Sequence, residues 1–144
     1  MVGLNACQLE RIFACAEVGC PPVGFYHGRL LVMAEDRPFP KAQVALSGCF
    51  WKGKHFAPDG HLTNQFVCRR RISTDACIGP SWYDGKPCVA IDYAPGTPLF
   101  ANLRDEFRQI GPGLYIGRLY EVCPRRFMAW MCLELDPCRC AKPY

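Results

Sequence analysis

The chain has 144 residues, a length typical of one domain, and size scaling predicts that folding buries about two-thirds of its unfolded surface. Half of the residues are hydrophobic and 21% are charged, which excludes a disordered chain. The net charge of +4 is spread along the sequence. The one basic run, Arg69-Arg70-Arg71, indicates a solvated strand end rather than a nucleic-acid site. We therefore expect a single domain over residues 1–144 that binds no nucleic acid.

Eleven cysteines are an odd number, so they cannot all pair with one another. The first 20 residues include Glu10 and Glu17 and lack the continuous apolar segment of a secretory signal peptide. We therefore expect reduced thiols and a location in the cytoplasm or an organellar stroma. Cys77, Cys88 and Cys132 lie in apolar runs, where thiols pack as small hydrophobic groups. No stretch approaches the roughly 20 apolar residues of a membrane span.

Residues 5–18 form the one predicted helix. Asn5 can cap its first turn, and Gln8 can complete a capping box. Apolar residues then recur at helical spacing on one face, at Leu9, Ile12, Phe13 and Ala16. Pro21-Pro22 prevents continuation of the helix. The apolar stripe favours packing against a sheet, and docking of a partner protein is the alternative.

Seven or eight short strands follow at intervals of about ten residues, with glycine or proline between them. The predicted strands are Gly24–Met33, Cys49–Phe56, His61–Cys68, Arg71–Ile78, Pro87–Tyr93, Asp105–Ile110, Leu114–Glu121 and Phe127–Leu135. Lys41–Leu46 is compatible with one helical turn, and residues 136–144 with an extended tail. Closure of the sheet would remove its exposed edges. The pattern predicts a mainly β fold, an antiparallel up-and-down β-barrel over residues 22–135 with one N-terminal α-helix.

Strict alternation assigns the two faces of individual strands. In the second strand it places Lys54 on one face and Trp51 on the other. In the last strand it places Phe127 with Ala129, and Met128 on the opposite face. Gly28 in the first strand indicates a bulge or a close approach of another backbone.

The strand near residue 105 carries charged residues on both faces. Arg104 shares one face with Glu106, and Asp105 shares the other with Phe107. If the Arg104 face is inward, its guanidinium could hold an anionic head group with two hydrogen bonds. If the Phe107 face is inward, Asp105 becomes a buried carboxylate that requires a basic partner. The candidates for that partner are Lys54 and Arg118. If both faces of the strand are exposed to solvent, these charged residues are surface residues without a role in binding.

Several short motifs resemble those of a group of small lipocalin-like (calycin-type) β-barrel proteins. They are Trp51-x-Gly53-Lys54-x-Phe56, Trp82-Tyr83-Asp84-Gly85-Lys86-Pro87, Asp92-Tyr93, Arg104-Asp105-Glu106 and Pro112-Gly113-Leu114-Tyr115-Ile116-Gly117. The resemblance covers about residues 22–135 and leaves out the cysteine-rich ends. It implies a barrel that holds an apolar small ligand.

An eight-stranded barrel can hold one small ligand, and tyrosine and tryptophan combine apolar area with a polar group suited to its wall. The predicted ligand-binding residues are Trp51, Lys54, Trp82, Tyr93, Arg104, Glu106, Tyr115, Arg118 and Trp130. The same aromatic residues could equally fill a dry core. The predicted function is therefore binding of an apolar or amphipathic small molecule, without a cofactor.

Two other functions are compatible with the sequence. The barrel could enclose an isomerase, cyclase or lyase site whose acid–base and orienting groups would be Asp92, Arg104, Asp105, Glu106 and Tyr115. Alternatively, the cysteine- and proline-rich ends and the helix could belong to an accessory or structural subunit of a larger complex. Serine elbow motifs, phosphate loops and metal-ligand spacings are absent from the sequence, and Cys138-Arg139-Cys140 is an isolated pair of cysteines.

Overall fold

A computed structural model describes residues 1, 3–34, 51–67, 71–93 and 100–138. One helix, α1 (Ala6–Cys15), precedes eight strands. These are β1 (Gly24–Met33), β2 (Trp51–Phe56), β3 (His61–Phe66), β4 (Arg71–Pro80), β5 (Pro87–Asp92), β6 (Leu103–Gly111), β7 (Leu114–Glu121) and β8 (Arg126–Leu135). The predicted limits of β1 and β7 are the observed ones, and the ends of the other strands differ by at most two residues. The predicted turn at Lys41–Leu46 lies outside the described residues.

Each strand pairs antiparallel with the next one along the chain, and β8 pairs with β1 to close the barrel. Closure satisfies the backbone groups that a strand at a sheet edge would expose. The predicted up-and-down β-barrel with one N-terminal helix is therefore confirmed.

Alternate residues of the strands point inward and form one apolar core. Phe107 is fully buried there, and a methyl group on Gly117 would come within 2.3 Å of its ring. Burial of each such side chain contributes about 1.5–3 kcal/mol to folding. Other buried members of this core are Phe56, Leu62, Ile91, Leu119 and Leu133.

Register shifts in two strands change the faces that strict alternation predicts. In β2 the register shifts at Lys52, so Trp51 packs against the inner core and Lys54 also points inward. In β8 the pairing skips Met128, which joins the inner core, while Phe127 packs outside the barrel. The predicted separation of Trp51 from Lys54, and the predicted faces of Phe127 and Met128, were therefore wrong. A β-bulge adds one residue and reverses the alternation beyond it.

The predicted capping box begins α1. Asn5 Oδ1 accepts from the Gln8 backbone N–H, and Gln8 Oε1 accepts from the Asn5 N–H, each at 2.9 Å. The helix ends at Cys15 rather than at residue 18. Glu17 instead forms an isolated β-bridge, in which its carbonyl accepts from the Gln109 N–H at 3.0 Å.

The apolar stripe of α1 packs on the outer surface of the barrel. Leu9 and Phe13 are fully buried in a cluster with Ile116 of β7 and Trp130 of β8. The stripe that was a candidate for docking a partner protein is therefore occupied within the chain. No helix among the described residues is long and apolar enough to cross a membrane.

The segment after α1 crosses one end of the barrel, which we call the capped end. Val18 packs against the inner core there. The Cys20 N–H donates to Gln109 Oε1 at 2.9 Å, and the Tyr115 hydroxyl donates to the Cys20 carbonyl. The opposite end, where β1 ends and β2 begins, is the loop end.

Eight cysteines lie in the described part of the chain, and all of them are free thiols. Cys88 and Cys132 are buried, as predicted. Cys77 is exposed, so the prediction that it packs in the core was wrong. It follows inward-facing Ala76 on β4 and therefore points outward.

The thiols should differ in reactivity, because the thiolate is the nucleophile and burial disfavours it. Burial raises the pKa of Cys88 to about 12. We expect iodoacetamide at about pH 8 to alkylate Cys88 and Cys132 at least roughly tenfold more slowly than exposed Cys77. Peptide mass spectrometry over a time course measures this difference, and urea-unfolded protein is the control. Equal rates at Cys77 and Cys88 in the folded protein would contradict the observed placement.

Candidate functional site

The barrel interior contains a group of polar side chains in contact with one another, which we call the interior polar cluster. Its members are Lys54 of β2, Asn64 of β3, Tyr93 directly after β5, and Asp105 of β6. Lys54 is 2% exposed and Asp105 is 3% exposed. Lys54 and Asn64 lie opposite each other in the β2–β3 register. Barrel closure brings these strands around one interior, so residues far apart in sequence meet.

Lys54 is the centre of the cluster. Its ammonium group contacts Asp105 Oδ2 at 2.7 Å, Asn64 Oδ1 at 2.7 Å and the Tyr93 hydroxyl oxygen at 2.5 Å. The Tyr93 hydroxyl donates to Asp105 Oδ2 at 2.7 Å and accepts from Asn64 Nδ2 at 2.9 Å. Three acceptors match the three protons of an ammonium group, which is how a buried charge is tolerated.

Burial dominates the titration behaviour of two members of the cluster. It lowers the pKa of Lys54, and the negative charge of Asp105 partly offsets that shift. Burial also raises the pKa of Tyr93 well above its ordinary value, and Asp105 raises it further. Tyr93 therefore stays protonated at neutral pH and can donate its proton to Asp105. The charged form of Lys54 depends on the Asp105 carboxylate.

Two glycines allow β1 and β2 to approach closely beside the cluster. A Cβ on Gly53, whose φ is +149°, would lie 1.9 Å from the Tyr26 carbonyl oxygen. A Cβ on Gly28 would lie 2.4 Å from the Trp51 ring, so the close neighbour of Gly28 is a side chain rather than the predicted backbone. The Trp51 indole N–H donates to the Gly53 carbonyl at 3.1 Å, and the ring centroid lies 5.2 Å from Lys54 Nζ. These glycines allow the indole to lie beside the ammonium group.

Aromatic rings continue from the interior polar cluster toward the loop end. The Phe100 ring lies 5.8 Å from the Tyr93 ring and 6.2 Å from the Phe66 ring, measured between centroids. Trp51 and Phe100 are only partly buried, unlike the residues of the cluster. The charged groups are therefore bordered by apolar rings that lie nearer the surface.

The predicted ligand-binding residues divide into two groups. Trp51, Lys54, Tyr93 and Tyr115 point into the barrel. The other five lie on the outer surface, around the 81–86 connection and α1; they are Trp82, Arg104, Glu106, Arg118 and Trp130. The Phe107 face of β6 is the inward one, so Asp105 is the buried carboxylate and Lys54 is its partner.

Glu106 and Arg104 fasten the 81–86 connection to the outer face of β6. Glu106 accepts from the Ser81 hydroxyl at 2.6 Å and from the Trp82 N–H at 2.7 Å. Arg104 donates to Glu106 at 3.0 Å, to Asp92 at 2.8 Å and to the Pro80 carbonyl at 3.1 Å. Hydrogen bonds within the chain therefore account for both charges.

Arg108 joins the same connection to the helix. Its two terminal nitrogens contact Asp84 at 2.9 and 2.5 Å, and one of them also donates to the Phe13 carbonyl at 3.0 Å. Arg108 holds the pKa of the Asp84 carboxyl below its ordinary value. The phenol of Tyr83 donates to Glu10 at 2.9 Å, a second link between connection and helix.

Arg118 lies among aromatic rings rather than beside a carboxylate. Its Nε donates to the Tyr120 hydroxyl at 2.7 Å. Five ring centroids lie 4.2–5.8 Å from its guanidinium carbon, those of Phe13, Tyr83, Tyr120, Phe127 and Trp130. Stacking of this kind stabilises a weakly hydrated guanidinium group. The arrangement packs the outer aromatic residues between α1 and the barrel.

The acid–base groups considered for an enzyme do not meet in one place. Asp105 lies in the interior polar cluster, whereas the Tyr115 hydroxyl is directed to Cys20 at the capped end. The remaining three lie outside the barrel, where Arg104 donates to both Asp92 and Glu106. Within the described residues, no group of three or more histidine, cysteine, aspartate or glutamate side chains is placed to hold a metal ion.

Sequence reasoning missed Asn64, which binds both Lys54 and Tyr93. A signal for it was available. Asn64 lies between Leu62 and Phe66 at a spacing of two, so alternation places its amide on the apolar face. A polar residue on such a face requires a buried partner.

No family model matches this chain, and no curated protein matches it significantly. The fold is similar to that of a protein from Thermomonospora curvata known from a crystal structure, with a TM-score of 0.62. The match covers 92% of this chain and 88% of that chain at 15% sequence identity. Identity at this level shows a shared fold alone.

Removing the cation from the interior polar cluster should destabilise the barrel. Lys54→Met leaves the Asp105 carboxylate buried and uncompensated, and we expect a loss of about 3–5 kcal/mol in the free energy of unfolding. The double variant Lys54→Met/Asp105→Leu should recover most of that loss, because an apolar pair needs no desolvation of charge. Urea unfolding measures both. A double variant no more stable than Lys54→Met would contradict the assignment of a direct ion pair.

The pH dependence of stability tests the same pair. The folded-state pKa of Lys54 lies below its unfolded value, so the unfolded chain binds more protons between the two values and stability rises with pH there. Asp105→Asn removes the negative charge that raises the folded-state pKa of Lys54. The pH range between the folded-state and unfolded-state pKa values therefore extends to lower pH. We expect the free energy of unfolding of this variant to rise with pH over a wider range below the unfolded-state pKa of Lys54 than that of the wild type does. Equal slopes in urea unfolding would show that Asp105 does not act on Lys54.

Proposed function

We propose that this protein binds one small apolar or amphipathic molecule inside its barrel, toward the loop end. Eight strands enclose an interior wide enough for side chains or for one small ligand. Ligand sites in proteins are mostly apolar concavities with a few convergent polar groups. Here the wall is aliphatic and aromatic, and the polar groups are Lys54, Asn64, Tyr93 and Asp105.

The observation that carries this proposal is a buried ion pair inside an otherwise apolar barrel. Such a pair seldom stabilises a fold more than well-packed apolar residues of similar volume do. Stability alone therefore gives little reason to place Lys54 and Asp105 in the interior. Buried groups with shifted pKa values are frequent at functional sites, and Lys54 and Tyr93 both have this property.

The surroundings of the cluster support the same function. Trp51 and Phe100 are partly buried and stand beside the charged groups, so a ligand could contact apolar rings and a polar centre together. The resemblance of the sequence motifs to lipocalin-like barrels also favours a bound apolar molecule. The outer residues Arg104, Glu106 and Arg118 have partners within the chain. They are therefore weaker candidates for ligand contacts than the inner ones.

The first test asks whether a small molecule co-purifies with the protein. Native mass spectrometry of protein purified from its own source should show the mass of one small organic molecule, which denaturing extraction then releases and identifies. Protein refolded after extraction is the control and should lack that mass.

A second readout follows binding through Trp51. The variant Trp82→Phe/Trp130→Phe leaves Trp51 as the one tryptophan of three, and its fluorescence should change saturably when the extracted molecule is added back. The matched variant Trp51→Phe/Trp130→Phe keeps Trp82 on the outer surface and should show little change. If native protein is empty and no apolar molecule saturates the Trp51 signal, the proposed function is wrong.

A further inference from the structure

The interior polar cluster has one charged oxygen that its own members leave unused. Both contacts of the Asp105 carboxylate, those with Lys54 and Tyr93, are made through Oδ2. Among the described residues, no hydrogen bond to Oδ1 is found. This oxygen belongs to a side chain that is 96% buried.

The other members of the cluster have almost no unused hydrogen-bond donors or acceptors. The three protons of Lys54 match three acceptors, and the Tyr93 hydroxyl uses its proton and accepts twice. Asn64 donates one amide hydrogen to Tyr93, and its second amide hydrogen has no hydrogen-bond partner among the described residues. The unused groups are therefore a carboxylate oxygen that accepts and an amide hydrogen that donates.

Charge narrows the choice of ligand further. The positive charge of Lys54 and the negative charge of Asp105 cancel within the cluster. A charged head group of either sign would bring a third, unpaired charge into a poorly solvated interior. A carboxylate would also face Oδ1 of Asp105 and would find no free proton on Lys54. An amine in its ammonium form would lie beside the Lys54 ammonium group.

We propose that the ligand of this barrel is a neutral alcohol on an apolar skeleton, whose hydroxyl donates to Oδ1 of Asp105. The hydroxyl oxygen can in turn accept from the remaining amide hydrogen of Asn64, so one group satisfies both unused positions. This inference rests on the proposed function and specifies the chemical class of the ligand. Trp51 and Phe100 would contact the apolar skeleton.

A matched series of ligands tests the head group. Two skeletons, a dodecyl chain and a naphthylmethyl group, are each prepared as the alcohol, the methyl ether, the amine and the carboxylate. Each is titrated at about pH 7.5 into the Trp82→Phe/Trp130→Phe variant, with Trp51 fluorescence as the signal. The alcohol should bind roughly 10- to 100-fold more tightly than the ether of the same skeleton, as expected for one hydrogen bond to a charged acceptor. It should also bind more tightly than the amine and the carboxylate.

A pair of aspartate variants then tests the residue. Asp105→Asn, introduced into the same background, should reduce the preference for alcohol over ether to a few-fold. Asp75→Asn makes the same chemical change on a side chain that is 83% exposed on β4, and it should keep the full preference. If Asp105→Asn fails to fold, the ranking in the unsubstituted background still decides the head group.

The outcomes separate the two proposals. Equal binding of alcohol and ether, or tightest binding of the amine or the carboxylate, overturns the alcohol inference and leaves the proposed function in place. An alcohol preference that survives Asp105→Asn also overturns it. If no member of either series saturates the Trp51 signal, the proposed function fails, and the inference fails with it.

Discussion

The buried ion pair between Lys54 and Asp105 is the interaction on which the arrangement of polar side chains in the barrel interior depends. Two opposite charges with almost no contact with water are costly unless they touch and most of their other hydrogen-bonding positions have partners. Asn64 and Tyr93 fill those positions on Lys54. The four residues come from β2, β3, the end of β5 and β6, so the arrangement depends on these strands curving around one interior in this register.

A separate polar network organises the outer surface of the same strands. On β6, Asp105 and Phe107 point inward, whereas Glu106 and Arg108 point outward and are covered by the 81–86 connection and α1. This strand is therefore charged on both faces and buried on both faces. The outer network fixes the helix and the connection, which leaves the inner one as the group of polar side chains that faces the barrel interior.

Local patterns in the sequence predicted the elements well. Period-two alternation and glycine or proline punctuation located all eight strands, and the capping box located the start of α1. Strict alternation failed at Lys52 and Met128, because a bulge depends on pairing with a neighbouring strand rather than on local sequence. Consequently Trp51, assigned to the face opposite Lys54, lies beside it inside the barrel.

The candidate site was predictable only in part. The alternation on β6 required a basic partner for an inward Asp105, and Lys54 was one of two candidates. Choosing between Lys54 and Arg118 required knowing which face of each strand is inward, and that is decided by closure of the sheet. The position of Glu106 and Arg104 beneath the 81–86 connection was likewise not available from sequence, because nothing local shows where a connection folds back.

The most direct test of a ligand at the interior polar cluster is ¹H–¹⁵N NMR of the wild-type protein during addition of the molecule extracted from it. We expect saturable shifts of the Asn64 side-chain amide and the Trp51 indole N–H, with little change at the Trp82 indole. Shifts confined to Trp82 and the arginines around it would place the ligand on the outer surface. That result would contradict the interior site.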